Sequence, residues 1–209
     1  MQNVDERYYV SYRNLRQSIG FLGLIMPFVV RLGAIYFENN YSVQSISAYY
    51  YTGMRDVLVG TLVLIGVLLA CYRTPEKQDT FIGLTAGLAA IGMALFPTDP
   101  ANAHLCYVIK SFLGFHEAFA GIFFGAIFYL VYFRFRAMTP QVPTPEKIMR
   151  NRIYKASGLV MLFAFIAIGL LNKFANGASI FWPETAAVVA FGIAWLVKGQ
   201  RFFADKHSE

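Results

Sequence analysis

The side chains most open to chemistry are the ionisable ones inside long apolar runs, where each costs at least about 2.5–3.5 kcal/mol at a bilayer centre unless it is paired. They are Arg31, Asp56, His116, Glu117 and Glu184, with Ser47 and Tyr51 just ahead of Asp56 and with Asp99 and His104 in the break after the third run. Carboxylates, an imidazole and hydroxyls at one depth suit a lipid headgroup, an ion or a small molecule. A metal site is the sharpest version, with Asp56, His116, Glu184 or His104 as ligands, since zinc normally takes three protein ligands and a water. There is no HxxxH pair, no Gly-x-Ser-x-Gly elbow, no phosphate loop and no cysteine pair, so nothing names a nucleophile and no cofactor is required.

A structural reading stands beside the functional one. Asp56 and Glu184 fall in first turns, where the helix dipole stabilises a carboxylate by about 0.3–1 kcal/mol. His116 and Glu117 are expected about two turns inside the fourth run, pointing about 100° apart. Glu117 then shares a face with Gly114, Gly121 and Gly125, and His116 with Phe112, Ala120 and Phe123. An interhelical network, with Arg31 paired to Glu117 or Glu184 and His116 bridging to Asp56, would account for the same residues as polar glue.

Those residues must be positioned by helices. Of the 209 residues 57% are apolar and only 14% charged, against roughly a quarter charged in soluble proteins. A bilayer core of roughly 30 Å takes about 20 apolar residues per crossing. Six runs meet or approach that length: Ser18–Phe37, Asp56–Tyr72, Thr80–Phe96, Val108–Phe133, Ala156–Leu171 and Pro183–Val197. The expected fold is an all-α, polytopic membrane helix bundle, with residues 1–17 as an amphipathic surface segment, 18–199 as the bundle and 200–209 as a tail. The first run is longer than a signal-peptide core and lacks small residues at its end, so it is expected to stay as an anchor.

Lys and Arg set the orientation. Arg7, Arg13, Arg16, Arg73, Lys77, Arg134, Arg136, Lys147, Arg150, Arg152, Lys155, Lys198, Arg201 and Lys206 fall on one side, and only Arg55, Lys110 and Lys173 on the other. Both termini are therefore expected in the cytoplasm of a cell with an inner membrane, and the polar cluster faces outward. The net charge of +6 follows from attraction to anionic headgroups at about 1 kcal/mol per basic residue; no segment is long enough to fold into a nucleic-acid-binding surface. Cys71 and Cys106 lie on opposite sides, too far apart for a disulfide.

Gly83 with Gly87 and Gly121 with Gly125 form small-xxx-small pairs that predict close packing of the third and fourth helices near the bundle centre, and such faces also suit a homo-oligomer. Tyr41, Tyr49, Tyr50, Tyr51, Tyr107 and Trp182 are expected in the outer aromatic belt, and Tyr129, Tyr132 and Phe133 in the inner one.

Several stretches carry a resemblance. Ser45 to Asp56 (SISAYYYTGMRD), Ala94 to Thr98 (ALFPT), His116 with Ala120, Phe123 and Phe124, Arg150 to Tyr154 (RNRIY), Phe181 to Glu184 (FWPE) and Phe191 to Gly199 (FGIAWLVKG) resemble a family of small bacterial membrane proteins without an assigned activity, over nearly the whole chain. Members usually carry His where this chain has Tyr51. A more distant similarity is to the alkaline ceramidase and adiponectin-receptor superfamily, membrane hydrolases that hold zinc through three histidines beside a Ser and an Asp. That resemblance implies roles for Ser47, Asp56 and His116, while Tyr51 stands where another ligand belongs and the remaining histidines are His104 and His207.

The expected function is binding or sensing of a membrane lipid or small molecule through the outward-facing cluster. The alternatives are a metal-dependent hydrolase acting on a lipid and a small transporter, although transporters usually show paired broken helices in two halves and here only Pro27 interrupts a helix.

Overall fold

The computed structural model describes residues 2–41, 43–98, 114–137, 143–175 and 177–203, with side chains from residue 12 onward. They form six helices: α1 (Gln2–Glu38), α2 (Arg55–Ala70), α3 (Lys77–Leu95), α4 (Phe115–Ala137), α5 (Pro145–Phe174) and α6 (Phe181–Lys198). A short 3-10 turn, Ser47–Tyr51, links α1 to α2. No strand occurs among the described residues, and the chain is an all-α helix bundle. Five helices are long and apolar enough to cross a membrane. The exception is α2, whose 16 residues span only about 24 Å at 1.5 Å per residue.

Apolar periodicity sorts the faces. Along α1, Ile19, Met26, Val30 and Ala34 are buried, while Phe21, Ile25, Phe28, Leu32 and Tyr36 are exposed on the opposite side. A stripe of large exposed apolar side chains suits lipid rather than water. The expected surface segment continues into the first span: α1 runs unbroken for 37 residues, about 55 Å and well beyond a bilayer core.

Neighbours follow the order α4, α3, α2, α1, α6, α5, and the circuit is left almost open between α5 and α4. The contact between α2 and α3 is backbone to backbone. A Cβ on Gly87 would lie 2.5 Å from the Gly66 carbonyl, and one on Gly66 would lie 2.7 Å from the Gly87 carbonyl. Gly20 and Gly192 play the same part between α1 and α6. Without a hydrophobic force between helices in lipid, such close approach supplies the dispersion contacts that hold them together.

The expected counterpart on α4 is different. A Cβ on Gly121 or Gly125 would meet nothing within 4 Å. These glycines do not pack; they face open space. Higher up, α4 reaches α5 through the Phe124 and Phe165 rings, 5.3 Å apart; the close approach comes lower down, where Gly158 takes the Tyr132 ring so closely that a Cβ would lie 2.6 Å from it. At that level α4 makes a π-helical turn over Leu130–Arg134. The two helices therefore form a V, closed at Tyr132 and Gly158 and splayed at the end carrying Glu117 and Asn172.

The closed end of the V is also the basic end of the bundle, where cations tie down helix termini. Gln17 Nε2 donates to the Gly199 carbonyl at 2.9 Å and Arg16 to the Lys198 carbonyl at 3.4 Å, both at the end of α6. Lys147 donates to the Phe135 carbonyl at 3.2 Å, and Arg134 pairs with buried Asp79 of α3. Favourable placement of cations at helix C-termini explains much of this end. Trp195, Tyr72, Phe135 and Tyr154 make an edge-to-face core beneath them.

Candidate functional site

At the open end of the V, the segment between α1 and α2 folds back over the bundle. Ser45 Oγ accepts the Ala48 N–H at 3.1 Å and lies 3.3 Å from Ser47 Oγ, so it caps the 3-10 turn. Thr52 closes the other end by donating to the Tyr49 carbonyl at 2.9 Å. The α6 terminus holds the segment from below: Ile180 N–H donates to the Gln44 carbonyl at 2.8 Å, and Glu184 Oε2 accepts the Ile46 N–H at 2.5 Å. Glu184 is thus more than a dipole cap on its own helix, because it satisfies a buried donor of another element.

His116 is fixed from α3. Its Nδ1 lies 2.9 Å from the Phe96 carbonyl; a carbonyl only accepts, so Nδ1 carries a proton and Nε2 is left for a ligand. Phe96 stacks on Phe115 and Phe119 at 5.5 Å each, which seats the first turn of α4. That turn begins later than the apolar run suggests. Gly114 has φ of +91° and precedes the helix, a conformation open mainly to glycine. His116 and Glu117 therefore stand in the first turn of α4 and not two turns inside it. Residues 108–113 of the expected span, with Asp99, His104, Cys106, Tyr107 and Lys110, lie outside the described residues, as does His207.

Within the V is a cavity of about 590 Å³. Its polar end is lined by Ser45, Ser47, Thr98, His116, Glu117, Asn172 and Glu184. Its apolar wall descends α4 along Ala120, Gly121, Phe124, Gly125 and Phe128, faced by Leu162, Phe165 and Ile168 of α5. A small void of about 80 Å³ continues inward from it to Met26, Leu58, Met93 and Phe191, sharing Ser47, His116 and Glu184. From Glu117 to Phe128 the wall runs about 16 Å at 1.5 Å per residue, close to the hydrocarbon depth of one leaflet, half of roughly 30 Å.

Four of the seven sequence candidates meet here: Ser47, His116, Glu117 and Glu184. The other three do not line this cavity. Tyr51 turns away and donates from its hydroxyl to the Thr98 carbonyl at 2.7 Å. Asp56 is exposed in the first turn of α2, where the dipole accounts for it. Arg31 pairs with neither Glu117 nor Glu184. Its guanidinium lies 4.7 Å from the Phe181 ring centroid and 5.5 Å from that of Trp182, a cation–π contact in place of an ion pair. Tyr49, expected in the outer belt, is instead 1% exposed and packed edge-on to Phe181. Burial pushes its phenol above the usual range, with the Arg31 guanidinium beside it pulling the other way.

His116 does not bridge to Asp56; it is bound to the Phe96 carbonyl. Among the described residues no three of His, Cys, Asp and Glu converge as a metal would require. No protein-family model, no curated protein and no solved structure matches this chain. What the site can do is therefore argued from its own geometry: a narrow apolar trench ending in hydroxyls, an imidazole and two carboxylates.

Sequence reasoning missed Ser45, Thr98 and Asn172, and it missed the apolar trench. The signal for the trench was present, because Glu117, Gly121 and Gly125 share one face of α4. Small residues on a helix face mark either a partner's close approach or an unfilled space, and only the neighbour's position separates the two.

Proposed function

We propose that this protein is a multi-pass inner-membrane protein that binds a membrane amphiphile, a lipid or a lipid-like small molecule, in the cavity between α4 and α5. One observation carries the reading: the cavity is polar at one end and apolar along about one leaflet of depth, with its open side between two helices whose outer faces suit lipid. An amphiphile could enter sideways from the bilayer, lay its chain along Gly121, Gly125 and Phe165, and present its head to Ser47, His116 and Glu184. Such pockets typically hold 300–1,000 Å³, with few polar groups fixing orientation.

The positive-inside rule supports placing both termini in the cytoplasm, which puts the polar end of the cavity in the outer leaflet. The resemblance to small bacterial membrane proteins supports the inner membrane as the location. Membrane lipids are then both solvent and partner.

Filling the trench tests the reading. Gly125→Phe places a ring into open space without meeting any atom within 4 Å of its Cβ position. A ligand present at about a hundred times its Kd stabilises by about 2.7 kcal/mol. Tetradecanol should therefore raise the Tm of the parent in a non-ionic detergent, and leave that of Gly125→Phe unmoved. An equal rise in both proteins would show that the amphiphile acts elsewhere.

A further inference from the structure

The charges around the cavity's polar end narrow the class of head group. Glu117 and Glu184 bring two carboxylates to the lining, and among the described residues no Lys or Arg lines it. Among the described residues, the cations on the flanking elements are engaged elsewhere: Lys173, next to Asn172, lies 5.2 Å from the Phe174 ring centroid. Arg31 lies over Phe181 and Trp182. Arg55 donates to the Tyr50 hydroxyl at 2.8 Å and lies over the same ring. His116 spends its Nδ1 proton on the Phe96 carbonyl, leaving Nε2 facing the cavity. Glu184 uses one oxygen on the Ile46 amide, and its other oxygen remains an acceptor. Hydroxyls of Ser45 and Ser47 can serve either role, so the fixed character of the site is acceptor-rich and negative.

Sites that recognise phosphate are built from the opposite set, guanidinium, ammonium or a helix N-terminus aimed at the anion. The first turn of α4 does bring backbone N–H groups near, but it carries its own carboxylate at Glu117, which occupies that dipole with a negative charge. A phosphate head would meet a lining that offers carboxylates and no cation among the described residues, and like charges repel more strongly as the dielectric falls. A protonated amine meets the same groups as an attractive partner and donates three hydrogen bonds.

Resting on the cavity reading above, we infer that the cavity selects a single-chain amphiphile with a protonated amine head, and discriminates against phosphate heads. The trench supports the single chain: it is bounded on both sides by helices and narrows to the Tyr132–Gly158 contact, where a Cβ would already stand 2.6 Å from the ring. The ammonium sits at the polar end lined by Glu184, Glu117 and Ser47, and the chain runs down past Gly121 and Gly125.

The test uses displacement of a fluorescent pyrenyl alkanol from the purified full chain in non-ionic detergent, with competitors at equal mole fraction in the micelle. The competitors are tetradecylamine, tetradecanol, tetradecyl phosphate and phosphatidylethanolamine, the last carrying an amine behind a phosphate. Tetradecylamine should displace at least about tenfold more tightly than tetradecyl phosphate, a difference read directly from the dissociation constants, and more tightly than phosphatidylethanolamine. Glu184→Gln keeps an oxygen for the Ile46 amide but removes the charge, so it should lower the amine-to-alcohol preference about tenfold. Displacement by the phosphate or by phosphatidylethanolamine as tight as by the amine, with the probe still lost in Gly125→Phe, overturns the head-group inference and leaves the cavity standing. An unchanged amine-to-alcohol ratio in Glu184→Gln overturns it too. A probe that binds Gly125→Phe as tightly as the parent overturns the cavity reading, and this inference with it.

Discussion

Glu184 Oε2 accepts the backbone N–H of Ile46 at 2.5 Å, so one carboxylate both lines the cavity and anchors the segment that roofs it. The cavity wall and the local fold are coupled at this contact. Ile46 is 7% exposed, and its amide has no water to turn to if the acceptor is removed.

Glu184→Ala should therefore destabilise the protein by about 1–3 kcal/mol, the usual cost of a stranded buried donor. Glu184→Gln should recover most of that loss. Thermal unfolding of the two variants in one detergent distinguishes them; equal Tm values would mean that the Ile46 amide finds another partner.

The glycines of α3 and α4 should respond with opposite signs. Gly87→Ala forces a Cβ between the Gly66 carbonyl and the Ala70 amide, at 2.5 and 2.7 Å, and backbone on both sides cannot turn aside. A loss of about 1–3 kcal/mol is expected from overpacking. Gly121→Ala meets nothing and should gain about 0.5–1 kcal/mol from the helical preference of alanine. A destabilised Gly121→Ala would show that α4 is packed there after all.

Six apolar runs and the basic asymmetry made the bundle legible from the chain alone, because crossing length and loop charge are local properties. The Gly66–Gly87 crossing was half legible: Gly83 and Gly87 stood out as a glycine pair, while the matching small pair on α2, Gly66 with Ala70, hides its second member in an apolar alanine. The start of α4 was not legible, since Gly114 inside an apolar run reads as a tolerated helix residue until its left-handed φ is known. Of the candidate site, Ser47, His116, Glu117 and Glu184 were found because ionisable or hydroxyl groups among apolar neighbours stand out. Arg31 was assigned the wrong kind of partner because the aromatic faces of Phe181 and Trp182 are indistinguishable in sequence from belt residues. The trench itself is a property of the V between α4 and α5, and no single helix encodes it.

Arg31→Leu should cost about 0.5–2 kcal/mol through the lost contacts with Phe181 and Trp182. It should cost the same when Glu117 is already Gln, since the two groups are not paired. A coupling above about 0.5 kcal/mol in that double-mutant cycle would reinstate the ion pair.

Asp79 is 3% exposed and paired with Arg134. Asp79→Asn removes the charged acceptor of Arg134, a guanidinium that itself reaches solvent, and should cost about 1–3 kcal/mol, with part recovered in the double variant Asp79→Asn with Arg134→Met. Additive losses in the double variant would mean that the pair carries no coupling.

The orientation argued from basic residues is checked by fusion reporters. Those placed after Glu209 and within residues 140–146 should read as cytoplasmic, and one inserted near Asn39 as external. An external signal from the C-terminal fusion would reverse the cavity's leaflet.

The central claim is that the space between α4 and α5 is filled by an amphiphile. Native mass spectrometry of the protein as purified, released from its detergent by collision, tests that claim most directly. The parent should retain one amphiphile-sized adduct at energies that strip detergent, and Gly125→Phe, equally folded by Tm, should appear as the bare chain. The same adduct at the same occupancy in both proteins would place the bound molecule outside the cavity and contradict the account.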